Sequence, residues 1–452
     1  MLPLCLYPAF VYVTARPRAG VFGDATPIMK LPAADSLVLA TCFIALTTLR
    51  GRLHPLAAIL LATAGFAVTA GLSMSQLGKS FGTGFGQAAN NAGLPVLAAA
   101  MVAAMAHRGG ATARGRTKLL AGLGLAAGTG ALPAASFAVL APLRTPIGNR
   151  TRRAALTLGF AISAGQACLL PSPVLIAATA ILSAQWTRVL AFGLPLAILS
   201  AATGALLATR VPAEEPESQQ IASRNSRLAV PGVAVACLVM ALMLVVQSLG
   251  DIPSEPLGGG AARELLLGIG RPLIVLLAGV FIMAAATRAW RHGGLSENGW
   301  VTQSVTDAAP LILLLAASGG LQSLVQSTHM AELLAEQLLS LPSGLALPFL
   351  LAATLKIAQG SSLAAAITAA GMMQTLLPAA GLDGDTGRTL AVLAIGAGAV
   401  TGTHVNDPFF WLVADGARLR PAGALAWVTG GTIVQGFVVA AALIVIKEAV
   451  LF

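Results

Sequence analysis

Charge is scarce in this chain. Only 10% of its 452 residues are Asp, Glu, Lys or Arg, whereas soluble domains carry about 25%. That excludes an ordinary water-soluble globular protein. Aromatic residues are also few, at 5%, so packing must rely on Gly, Ala and Ser and on close helix contacts. The four cysteines, Cys5, Cys42, Cys168 and Cys237, are scattered. No pair has metal-ligand spacing, and no disulfide framework is visible. The five histidines are equally dispersed. HExxH, GxSxG and Walker-loop patterns are absent. These absences argue against an enzyme, a metal site, a cofactor and an ATP motor. A transporter made from this chain would have to run on an ion gradient.

What is abundant is hydrocarbon. Hydrophobic residues make up 56% of the chain and the mean hydropathy is +0.83, which defines a polytopic membrane protein. The 49 glycines and 25 prolines fit transporter helices with breaks. The net charge of +10 does not point to nucleic acid. The basic residues sit mainly in short loops, where they orient spans in the bilayer.

The expected fold is all-α, with about 11–13 transmembrane helices in two repeated halves containing re-entrant hairpins and broken helices. Residues 1–32 are apolar but short and proline-bearing, a poor signal peptide, and receive no role. Residues 33–210 form the first half. Residues 211–227, with Glu214, Glu215, Glu217 and Arg224, form a polar linker, and 228–452 form the second half. The segment 119–143 is apolar with a basic loop on each side. Its centre, Gly128-Thr-Gly-Ala-Leu-Pro133, is rich in turn residues. A re-entrant hairpin explains both features, with an ordinary span and one misleading loop as the alternative.

A second break is expected at Gly165-Gln166 to Pro171-Ser172-Pro173, and a third at Lys356 to Ser362. Asp307 is expected to cap an apolar run, and Thr328 to Ser340, with Glu332 and Glu336, to form an amphipathic lid. The most polar stretch within hydrocarbon is Gly402-Thr403-His404-Val405-Asn406-Asp407-Pro408. Ionisable groups at membrane depth cost roughly 2.5–3.5 kcal/mol each and survive when they face a cavity. The proline removes a backbone donor, so this span should break near its middle. The order of small-residue patch, then proline-broken polar patch, occurs in both halves, and such paired interruptions point to a midplane site between repeats.

His404-Val405-Asn406-Asp407 with Phe410-Trp411-Leu412-Val413, Lys356-Ile-Ala-Gln359-Gly360-Ser361 before Thr368-Ala-Ala-Gly371, and Leu140-Ala-Pro-Leu143 together resemble the gluconate permease family of the ion-transporter superfamily. Pro171-Ser172-Pro173 and Ser318-Gly-Gly320 also fit, and the likeness runs from about residue 36 onward. The resemblance implies proton-coupled uptake of gluconate or a related sugar acid across a bacterial inner membrane. Two departures bear on substrate identity. The family often has a histidine in the proline-rich loop of the first half, where this chain has Leu170-Pro171-Ser172-Pro173. Ala106-His107-Arg108-Gly109 replaces the acidic, glycine-containing turn usual after the third span.

A sugar acid offers a carboxylate and several hydroxyls. Half-helix N-termini supply N–H groups and a positive dipole end for the carboxylate. Ser136, Ser172, Ser361 and Ser362 can add hydroxyls, and Lys356 a charge. Gln166, Gln359, Thr403 and Asn406 suit the substrate hydroxyls. Each of these residues has a plainer alternative, in helix packing or in satisfying broken backbone, and Lys356 in snorkelling or pairing with an acid. Asp407 is the first candidate for proton coupling, since a carboxylate held out of water can take up and release a proton. His404 is the second; the plainer alternative for both is a static ion pair or helix cap that holds the break open. The two lie three positions apart, close to one face if the helix continues. Sodium in place of protons stays open, because the same oxygens ligate sodium. An integral-membrane enzyme or a channel remains the alternative of another class. The expected partners are a gluconate-like acid, protons or sodium, and the bilayer, with room for a homodimer.

Overall fold

The computed structural model describes residues 31–49, 53–108, 117–143, 151–212, 229–253, 255, 258–287, 299–339 and 344–451. The expectations for residues 1–30, for the linker beyond Pro212 and for the basic loops at Arg50, Arg114 and Arg150 lie outside these residues.

The chain opens with α1 (Ala33–Leu49), α2 (Pro55–Thr69), α3 (Met74–Ala88) and α4 (Leu94–Arg108). A π-helical turn at Ala89–Gly93 joins α3 to α4. Then come α5 (Thr117–Ala127), α6 (Pro133–Leu140), α7 (Thr151–Cys168), α8 (Pro173–Ile181) and α9 (Trp186–Arg210). The rest is α10 (Ala229–Gly250), α11 (Ala261–Ile269), α12 (Pro272–Thr287), α13 (Trp300–Gln326), α14 (Met330–Leu338), α15 (Ala346–Gln359), α16 (Ser362–Leu376), α17 (Asp385–Gly398), α18 (Pro408–Gly416), α19 (Pro421–Ala424) and α20 (Gly430–Leu451).

Among the described residues, six helical segments are long and apolar enough to cross a bilayer, or seven if α11 and α12, bent by 65°, count as one crossing. Five shorter apolar helices accompany them. The expected 11–13 crossings therefore divide into full spans and shorter pieces. The short pieces arise where glycine and proline interrupt an apolar run, as the sequence of 119–143 anticipated.

The same order of elements occurs twice. α5 and α6 form a helical hairpin, followed by the broken pair α7–α8 and the long helix α9. α15 and α16 form a hairpin, followed by the broken pair α17–α18 and the long helix α20. Contacts between the two sets match. α16 packs on α8 as α6 packs on α18, α7 meets α17, and α9 meets α20. The Arg152 guanidinium adds a polar stitch, donating to the carbonyls of Ala417 and Arg418 just past the end of α18. Cations are favoured at a helix C-terminus, where unpaired carbonyls gather.

α3 and α13 pack beside this core. Their approach is set by glycine. A Cβ on Gly84 would collide with the Gly319 carbonyl, and one on Gly319 with the side chain of Ala88. Without a water-driven hydrophobic force between helices, such backbone proximity is what holds membrane helices together. Large apolar side chains such as Leu46, Leu242, Phe281 and Val445 face outward, the reverse of a soluble surface and the expected face toward lipid.

Two local expectations change. Asp307 is an exposed residue inside α13, two turns past its start, not a cap. The apolar run beginning there is the inner part of a longer helix whose first turns are amphipathic. His404 and Asp407 do not share a helical face, because α17 ends at Gly398 and α18 starts at Pro408.

Candidate substrate site

α15 ends at Gly360 in a left-handed conformation (φ 74°). A Cβ there would also lie 2.6 Å from the Asn406 carbonyl oxygen, so glycine is required on both counts. Ending the helix leaves its last carbonyls without intrahelical donors. Side chains from elsewhere supply them. His404 Nε2 donates to the Ile357 carbonyl at 2.7 Å, and Asn406 Nδ2 donates to Ile357 and Ala358 at 3.2 Å each. Gln326 Nε2 donates to the Gln359 carbonyl at 3.2 Å. Lys356 Nζ donates to the Gly360 carbonyl at 2.8 Å and forms an ion pair with Asp407.

Lys356 is 1% exposed and Asp407 13% exposed at the side chain, so this is an ion pair within the bundle. Asp407 is also the N-cap of α18, accepting from Phe409 N at 2.8 Å. The pair therefore ties the tip of one hairpin to the start of a half-helix. Behind it, Ser318 Oγ and Trp411 Nε1 both donate to the Val405 carbonyl, and Thr429 donates to the Thr403 carbonyl. The unwound segment 399–407 is thus held by side chains, as broken backbone in a membrane must be.

The first half solves the same problem with neutral groups. Ser172 caps α8, accepting from Leu175 N at 3.3 Å, and its hydroxyl donates to the Gln166 carbonyl at 2.7 Å. Ser136 Oγ donates to the Ala127 carbonyl at 2.8 Å across the α5–α6 hairpin.

The two hairpin tips and the two breaks enclose one cavity of about 400 Å³, within the range of ligand pockets. α6, α8, α16 and α18 all begin at its wall, contributing Pro133, Pro173, Ser362 and Pro408. Four positive dipole ends directed at one space make it favourable for an anion. Asp407 is its acidic lining residue, and Lys356 sits behind Asp407.

Of the residues expected to bind substrate, Gln166, Ser361, Ser362 and Thr403 line the cavity, as does Asp407. Ser136, Ser172, Lys356, Gln359, His404 and Asn406 lie behind the wall, where they hold the backbone that forms it. Gln359 Nε2 donates to Glu332 Oε1 at 3.0 Å, fastening α14 to the hairpin tip. The opposite wall carries residues that the sequence did not single out for binding: Gln87 at the end of α3, Asn91 in the π-helical turn, and Gln322, Ser323 and Gln326 on α13. The available signal was the run of glycines and polar residues at 82–91 and around Gly319, where spans are too polar for lipid contact.

Paired hairpins and broken helices closing on a polar cavity inside an apolar bundle are the build of a membrane transporter. The chain belongs to the GntP family of permeases, whose family model matches residues 35–450. A gluconate permease of Pseudomonas aeruginosa is 28% identical over 414 residues, covering 84% of this chain and 89% of that protein. The inner membrane permease YgbN of Escherichia coli is 25% identical over 437 residues, 87% of this chain and 93% of that one. The solved Alcanivorax borkumensis YdaH transporter aligns over 91% of this chain and 97% of its own, at 17% identity and a TM-score of 0.35. The chain is a multi-pass permease and not an enzyme.

Proposed function

We propose that this permease is a proton-coupled symporter of gluconate or a closely related sugar acid. The observation that carries this reading is the cavity's two unlike walls. One is made of half-helix N-termini with Ser361 and Ser362, suited to a carboxylate. The other is a row of amides, Gln87, Asn91, Gln322 and Gln326, suited to a chain of hydroxyls. The likeness to the gluconate permease supports the same substrate class.

Coupling falls to Asp407, the carboxylate at the cavity wall. Its protonation would weaken the tie to Lys356, and substrate would bind next to it. Alternating access would follow from motion of the hairpins against α3 and α13, with residues 33–210 and 228–452 acting as the two repeats. The setting is the bacterial inner membrane, as in the Escherichia coli relative. His404 is bonded to hairpin backbone, which favours a structural role over proton transfer.

The test is gluconate uptake into proteoliposomes under an imposed inward proton gradient. Saturable accumulation above the equilibrium level is expected. A linear, non-saturating flux would replace this reading with a channel, and no uptake of gluconate would remove it as substrate.

A further inference from the structure

Carriers with broken helices hold coupling cations in unwound carbonyls and at the C-terminal ends of half-helices. The end of α15 offers such a set: the carbonyls of Ile357, Ala358, Gln359 and Gly360, beside the Asp407 carboxylate. In this chain every one is already taken by a protein N–H. His404, Asn406 and Gln326 serve the first three as donors. The last carbonyl and the carboxylate are bridged by the ammonium of Lys356.

An ammonium and a sodium ion carry the same charge and seek the same oxygens. They differ in that the ammonium is attached to the helix it serves. Two buried oxygens nearby, Asn406 Oδ1 and Gln359 Oε1, have no hydrogen-bond partner. Asn406 Oδ1 lies against Gly360, 3.0 Å from where a Cβ on that residue would sit. The end of α15 is thus flanked by buried amide oxygens that no protein donor satisfies. Burying a lysine among carbonyls is costly unless the charge is compensated, and here a carboxylate compensates it.

We infer that Lys356 is a built-in counter-cation, filling the position between the end of α15 and Asp407 that a sodium ion would otherwise take. This rests on the carrier reading above. With Asp407 charged, the ammonium joins the α15–α16 hairpin to α18. With Asp407 protonated, the ammonium keeps the Gly360 carbonyl but loses its charged partner, and the hairpin tip can part from the half-helix. The other titratable groups around this point are engaged elsewhere. His404 faces the Ile357 carbonyl, Glu332 of α14 accepts from Gln359, and Asp415 lies at the far end of α18.

The test uses full-length protein, wild type and Lys356→Ala, with gluconate as the transported probe and NaCl or choline chloride as the salt. Wild-type uptake and thermal unfolding should be the same in both salts. Lys356→Ala removes the ammonium and exposes the oxygens. Its proton-driven uptake should fall to background, while sodium, and not choline, should raise its unfolding temperature by several degrees and restore saturable uptake. Wild-type uptake that requires sodium would overturn the inference. So would a folded Lys356→Ala protein that responds identically to both salts. Should Lys356→Ala not fold, Lys356→Gln carries the same comparison, and the wild-type arm still decides whether sodium is needed. Failure of wild type to move gluconate would count against the proposed substrate, and the unfolding measurement would still judge the cation site.

Discussion

Ser172 and Asp407 occupy matching places. Each caps a half-helix that starts with proline, each follows an unwound segment, and each half-helix packs on the second arm of the other half's hairpin. Ser172 finds its second partner six residues back, at the Gln166 carbonyl. Asp407 finds its partner on a different element, Lys356, 51 residues away in sequence. One break is closed within its own strand of chain by neutral hydrogen bonds. The other is closed across two elements by a pair of opposite charges. Shared geometry makes the cavity, and the difference in chemistry is why the proposed coupling is assigned to Asp407.

That contrast can be broken in several places. The largest effect is expected from Asp407→Asn, which leaves a buried ammonium without its carboxylate. Removing one partner of a buried ion pair costs about 3–5 kcal/mol, readable by thermal or denaturant unfolding in detergent. The double variant Lys356→Ala/Asp407→Asn should be more stable than Asp407→Asn alone, because neither charge is then stranded. Additive losses would mean that the two residues do not act as a pair.

Gly84→Ala should come next, at about 1–3 kcal/mol for overpacking, since its Cβ meets the Gly319 backbone. Gly82→Ala, with open space around it, should stay within about 0.5 kcal/mol. Equal effects at the two positions would remove the close α3–α13 approach as the reason for glycine.

Ser172→Ala should cost about 1 kcal/mol, the worth of an N-cap, with proton-driven uptake retained. Gln322→Ala should cost a similar amount in binding. Losing one neutral hydrogen bond, about 0.5–1.5 kcal/mol, should raise the KM for gluconate about threefold to tenfold and leave the accumulation ratio unchanged. An unchanged KM would take Gln322 out of the substrate wall.

The sequence announced the breaks plainly. Gly128 to Pro133, Pro171 to Pro173, Gly360-Ser361 and Gly402 to Pro408 are runs of helix breakers within hydrocarbon, and each one interrupts a helix in the structure. The partners across the breaks were hidden. That Lys356 meets Asp407, or that His404 and Asn406 cap carbonyls of α15, depends on contacts between distant segments, which no local pattern encodes. The serines and amides near a break looked alike in sequence. Only the fold separates Ser361 and Gln166, which face the cavity, from Ser136 and Asn406, which hold its wall together. The amide row on α3 and α13 was obscured for another reason. Gln87, Asn91 and Gln322 lie in glycine-rich polar stretches that mark those spans as shielded from lipid, but nothing local shows that they face the cavity.

The most direct test compares Asp407→Asn and Ser172→Ala side by side in proteoliposomes, measuring gluconate exchange and then accumulation driven by a proton gradient. Ser172→Ala should show both activities. Asp407→Asn should retain exchange and lose accumulation, since it can still shuttle substrate without carrying a proton. Full proton-driven accumulation by Asp407→Asn would contradict the account and place the coupling elsewhere in the chain.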